Sequence, residues 1–296
     1  MKARIIVALA TLSIVATGCA KSTISDTGGM VSPTPGSPTG IPHASGAGDL
    51  VIQISNEGGF VAPSYTLTVI PQFSLFGDGS VITGGVEPAI YPGAALPSMN
   101  VQVVTEEGLQ AILQAAIDAG LEDGTDHTDL GSTGIADAST TVFTFDADGV
   151  THTVKIYALG MTSERPAGMS AEEFHAREAL QGFVSKVASL ETWLPAGSVG
   201  ATQPFVGEGA RLYVSDYQPD PQLTEPAKAW PLDPPLASFG AATDVMGTRC
   251  GVVSGTDWTD TLLPLAQSAN ALTPWTSDGT RYAISFRPLM PNETTC

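Results

Sequence analysis

Residues 122–129 read Glu-Asp-Gly-Thr-Asp-His-Thr-Asp, so four carboxylates and a histidine fall within one short run. Oxygen ligands at that density suit a hard cation such as calcium, and Asp123, Asp126 and Asp129 are the candidate ligands. The run lacks the Asp-x-Asp-x-Asp-Gly order and closing Glu of an EF-hand loop. In a chain with 30 acidic residues it also reads as a solvated turn. The four histidines, His43, His127, His152 and His175, have no acid or nucleophile at a telling spacing. There is no His-Glu-x-x-His, no Gly-x-Ser-x-Gly and no Ser-x-x-Lys, so zinc and nucleophilic chemistry have no motif here. No motif calls for a cofactor. Carboxylate pairs for glycoside cleavage come from distant strands and leave no local trace. Trp193, Trp230, Trp258 and Trp275 lie in or beside the second half. On one face they would form a carbohydrate or peptide platform; otherwise they fill a core.

The three cysteines are more informative. Lys2 and Arg4 precede an apolar run over residues 5–15, which is the pattern of a secretion signal covering residues 1–18. The run falls short of the about 20 residues a spanning helix needs. Ala16-Thr17-Gly18-Cys19 then resembles the lipobox of bacterial lipoproteins, although Ala16 stands where that family usually has Leu. The resemblance implies cleavage before Cys19, diacylation of its sulfur and frequent acylation of its amine. The alternative is an ordinary cleaved signal followed by an unrelated cysteine. Two or three acyl chains hold a protein durably to a bilayer, whereas one does not. The expected partner of the N-terminus is therefore the lipid bilayer, with the protein at the cell membrane facing outside the cytoplasm. Cys250 and Cys296 remain, and in an exported chain such a pair reads as a disulfide rather than as two buried thiols.

The formal net charge is -18, and loss of Lys2 and Arg4 would make it more negative still. A surface that acidic repels nucleic-acid phosphates, so nucleic-acid binding is not expected. With 43% hydrophobic residues the chain can build a core, and its 32 Gly and 22 Pro announce many loops.

Any functional group must be positioned by the elements around these runs. Residues 19–48 are rich in Ser, Thr, Gly and Pro and read as a disordered tether, with order beginning at Asp49. A first α+β unit is expected over residues 49–195. It opens with strands at 50–54 and 65–70 and a hairpin turned by Gly77-Asp78-Gly79. A strand near Val101 and Val103 leads to a helix started by Thr105-Glu106-Glu107, with Leu109, Ile112, Leu113, Ala116 and Ile117 on its apolar face. A hairpin around Asp148-Gly149 follows, then a long helix opened by Ser170-Ala171-Glu172-Glu173, in which Glu173 would return the cap's hydrogen bond. Residues 196–296 comprise a Pro-rich connection and a second, smaller α+β unit. In it a strand at 250–253, a helix at 257–269 interrupted by Pro264 and an Asp278-Gly279 hairpin repeat the order of the central unit. The expected class is α+β, with antiparallel hairpin sheets, helices packed on one face and two related strand-helix-hairpin halves.

Residues 49–194 also resemble the emfourin-like inhibitors of thermolysin-type metalloproteases in element order: Gly58-Gly59-Phe60 after a first strand, the Leu109 to Ile117 helix, the Phe143 to Tyr157 hairpin and a closing helix. Those inhibitors are small single-unit proteins with no counterpart of the segment from Phe76 to Pro97. The leading functional expectation is a non-catalytic module binding an envelope protein or small ligand. The alternatives are a hydrolase using dispersed carboxylates, or an inhibitor of that type.

Overall fold

A computed structural model describes residues 40–245 and 247–296; the expected signal segment, Cys19 and the first part of the expected tether lie outside them. The described chain is α+β and carries two largely antiparallel sheets. The first holds β1 (Leu50–Gly58), β2 (Phe73–Phe76), β3 (Ser80–Gly84), β4 (Met99–Val103), β5 (Ser139–Ala147), β6 (Val150–Tyr157) and β7 (Gln203–Pro204), in the order β6-β5-β1-β2-β3-β4-β7. Its hairpins turn where the sequence places Asp-Gly. At Gly79 φ is +85°, and a Cβ there would lie 2.3 Å from the Val104 carbonyl oxygen, so the close approach of β4 demands glycine. At Asp148 and Gly149 both φ angles are positive, as a two-residue hairpin loop that matches strand twist requires.

One face of this sheet is covered by helices. In α2 (Glu106–Asp118), Thr105 caps the first turn by accepting the Gly108 amide, and Leu109, Ile112, Leu113 and Ala116 are buried. In α3 (Ala171–Val187), Ser170 accepts the Glu173 amide, and Leu180, Phe183 and Val187 pack in the same core with Ile52, Phe143, Phe145 and Ile156. Burial of these apolar stripes holds both helices in place. On the opposite face Phe76, Ile82 and Met99 form a separate cluster with Met290 from the end of the chain.

The second sheet contains β8 (Gly209–Asp216), β9 (Lys228–Ala229), β10 (Ala241–Ala242), β11 (Arg249–Ser254), β12 (Trp275–Ser277) and β13 (Thr280–Pro288), ordered β10-β11-β8-β13-β12-β9. The chain leaves β11 into a π-helical segment, Asp257–Leu262, that continues as α4 (Leu263–Gln267). Pro264 lies where the π-helical segment passes into α4, so the helical run goes on through it with a change of hydrogen-bond spacing instead of stopping. Trp258, Leu262 and Ala266 bury against Leu212, Val253, Ile284 and Phe286.

Four expectations need correction. Residues 65–70 do not form a strand: α1 (Pro63–Thr68) takes their place, because Pro63 presets the helical φ and the Arg287 Nε donates to the Val69 carbonyl at the helix end, 2.9 Å away. Order is present from Gly40, not from Asp49. Ile41 exchanges two hydrogen bonds with the Gln110 side chain, at 2.7 and 3.0 Å, and packs on the core. The chain does not divide near residue 195 either. β7 pairs with β4, Ala94 bridges to Asn270, Ala95 and Leu96 pack on the second core, and Gly40–Cys296 forms one compact unit. Finally, the two strand-helix-hairpin runs share an order but not a topology. Three strands separate β4 from the β5–β6 hairpin and only β8 separates β11 from β13; the first hairpin joins its sheet by its leading strand, the second by its trailing one.

Candidate functional site

A cleft of about 960 Å³ opens where the outer face of β3 and β4 meets the last residues of the chain and the outer face of β11. Ile82 and Val101 form one wall, Phe205 and Val206 a second, and Val252 and Ser254 a third. The segment from Leu289 to Thr294 closes the remaining side. Strand alternation explains the composition. Val252 lies opposite Arg211, and Arg211 opposite Arg287, so all three share the face of the second sheet turned away from Trp258 and Phe286.

The closing segment is fastened twice. Cys296 is joined to Cys250 by the disulfide expected from the sequence, across 46 residues. Glu293 accepts from Arg287 Nη1 and Nη2 at 2.5 and 3.0 Å and from the Met290 amide at 3.0 Å, while Arg211 Nη2 lies 3.3 Å away. Burial works to raise the Glu293 pKa, but the hydrogen bonds from Arg287 and Met290 and the charges of both arginines outweigh it and hold it below the ordinary value. Two further acids lie on the rim: Asp78, which accepts the Ser80 amide at 2.9 Å, and the exposed Glu208. The lining includes no histidine, cysteine, lysine or arginine. Apolar walls with a few hydroxyls and an internally neutralised carboxylate are suited to holding a ligand with an apolar body.

The sequence candidates are distributed differently. In the acidic loop, Asp126 accepts the Lys155 amide and Asp129 the Gly131 amide, each at 2.8 Å. Among the described residues no three acidic, histidine or cysteine side chains gather as a cation site, so Asp123, Asp126 and Asp129 do not assemble one. His127 instead turns inward, its Nδ1 2.7 Å from Glu173 Oε2. Arg177, buried on α3, donates to the His127 carbonyl at 2.6 Å and to the Tyr157 carbonyl, and lies 3.7 Å from Glu173 Oε1, which makes no hydrogen bond. Burial lowers the Arg177 pKa and Glu173 opposes that shift. This cluster pins the loop to α3. It also means that the Glu173 side chain is occupied away from the Ser170 amide, so the helix is capped by Ser170 alone. His43 meets Glu106 at 3.2 Å and His175 meets Glu178 at 3.1 Å, both as pairs, while His152 lies on β6. Trp258 and Trp275 are core residues, and Trp230 meets Trp275 edge-on at 6.5 Å, so no exposed tryptophan platform forms.

Among the described residues no helix is long and apolar enough to cross a membrane. No protein-family model, curated protein or solved structure matches the chain.

Proposed function

We propose that this chain is a lipid-anchored binding protein of the bacterial cell envelope, held by Cys19 and taking a small, largely apolar ligand in the cleft between its sheets. The observation that carries the binding half of this reading is the cleft itself. Ile82, Val101, Phe205, Val206 and Met290 line it, and its half-buried acid, Glu293, is already matched by two arginines. The lipobox-like Ala16-Thr17-Gly18-Cys19 supports the anchoring half.

Two measurements test it. Mass spectrometry of the N-terminal peptide from membrane-extracted protein is expected to show a mature chain beginning at an acylated Cys19; a free amine elsewhere sinks the anchor. Nile red, a neutral apolar probe, is expected to bind saturably, and Val206→Asp, at an exposed position on the cleft wall, to weaken it about tenfold, the effect of about 1.4 kcal/mol. Equal binding to both proteins removes the cleft from the proposal.

A further inference from the structure

The first strand is paired unequally on its two sides. β5 follows β1 down to Gly58, opposite Ser139, whereas β2 leaves it at Ile54, opposite Phe73. The last bond on the β2 side runs from the Gln72 amide to the Ile54 carbonyl, at 2.8 Å. Successive residues of a strand aim their backbone groups to alternate sides. The Asn56 amide and carbonyl and the Gly58 amide therefore face the same way as the Ile54 carbonyl, and no strand among the described residues pairs with them.

This open edge forms one wall of a groove of about 580 Å³, and α1 with the residues after it forms the other, through Tyr65, Val69 and Ile70. Val61 lies at the groove and is 43% exposed, and its neighbour Phe60 is 92% exposed. Proteins ordinarily hide such an edge with a bulge, a proline or a covering element. Here the register with β5 runs unbroken from Ile52 to Gly58, and the edge keeps strand pairing up to Glu57, beyond which Gly58, at φ +66°, turns the chain away.

We propose that this groove binds an extended segment of a partner polypeptide, apolar at alternate positions and neutral or basic, which adds to β1 as a further strand. A row of backbone donors and acceptors calls for a ligand with the same groups at strand spacing, and only a polypeptide supplies them; the hydrocarbon of a bilayer offers none. The apolar wall of α1 accepts side chains on one face of the incoming strand. Glu57 at the groove is already met by Lys155 Nζ at 3.6 Å, so it is the net charge of -18 that disfavours an acidic segment. The groove shares no lining residue with the cleft, so this inference stands apart from the proposed function.

The test pans a phage-displayed library of random peptides, about a dozen residues each, against the full chain, and measures the enriched peptides on two variants. Asn56→Pro removes the amide facing the groove and leaves the β5 ladder whole, as an edge position tolerates. Because the Asn56 side chain also accepts from Thr141 at 3.1 Å, Tyr65→Glu supplies a second variant that alters only an exposed residue of the opposite wall. The expected result is a set of peptides with alternating apolar residues, each binding both variants at least tenfold more weakly and protecting the Asn56 and Gly58 amides from hydrogen exchange. The proposal is overturned if no peptide is enriched, if binding survives both substitutions, or if protection falls elsewhere. A concentration-dependent dimer lost on Asn56→Pro assigns the edge to a second copy of this chain and also overturns it.

Discussion

Arg287 holds Glu293 through both terminal nitrogens of its guanidinium and, through Nε, reaches 218 positions back along the sequence to the Val69 carbonyl. One side chain therefore ties the closing wall of the cleft to the end of α1.

Glu293→Gln leaves Arg287 and Arg211 without their shared counter-charge. Removing one member of a buried pair costs about 3 kcal/mol or more. Because the folded state depresses the Glu293 pKa, its contribution is complete above its ordinary value of 4.5 and disappears as the pH falls through the lower folded value. Urea unfolding at pH 7 is expected to show the full loss in the variant. Titration from pH 5 to pH 2 should then show a shallower decline than in the parent; an identical acid slope contradicts this assignment.

Arg177→Met keeps the length of a buried side chain while deleting its donors. The His127 and Tyr157 carbonyls lose them, and Glu173 loses its cation. The expected destabilisation is about 3 kcal/mol. The loop around His127 should come loose before the rest, so the His127 and Tyr157 amides, which bond Lys155 and His127 carbonyls, should exchange faster than those of α2. A uniform acceleration would show that the cluster does not act locally.

The disulfide closes a loop of 46 residues, for which chain-entropy models give about 4 kcal/mol. In a protein of this size that corresponds to roughly 10 °C in Tm. Scanning calorimetry of the Cys250→Ser/Cys296→Ser double variant measures it, and an unchanged Tm would show that the Glu293 fastening suffices.

Two hairpin glycines separate strain from collision. Gly149→Ala meets nothing within 4 Å and should cost only the left-handed penalty of about 1 kcal/mol. Gly79→Ala adds a methyl 2.3 Å from the Val104 carbonyl oxygen and should cost at least about twice that, read by denaturant midpoint at constant m. Equal losses would mean that β4 yields freely.

What was legible in the sequence was local. Thr105 and Ser170 announce their helices because caps act within one turn, and Asp148-Gly149 and Asp278-Gly279 announce their hairpins because positive φ is a property of the turn itself. Tyr65 to Ile70 misleads because its β-branched and aromatic residues favour a strand, whereas Pro63 and the distant Arg287 decide for a helix. The His127–Glu173–Arg177 cluster is 50 residues wide in sequence, and Glu173 already had a plausible local role as a capping partner. Arginine at the centre of an apolar helix face was the available signal. The cleft could not be read at all, since its walls come from β3, β4, the residues after β7, β11 and the end of the chain.

The pairing of β7 with β4, and of Met290 with Phe76, Ile82 and Met99, bears on how this molecule can be handled. A fragment ending near residue 195 would bring its greasy rear surface into water and lose the last strand of its sheet. Such a piece should clump when made alone, and adding residues 196–296 as a separate polypeptide should restore a soluble complex.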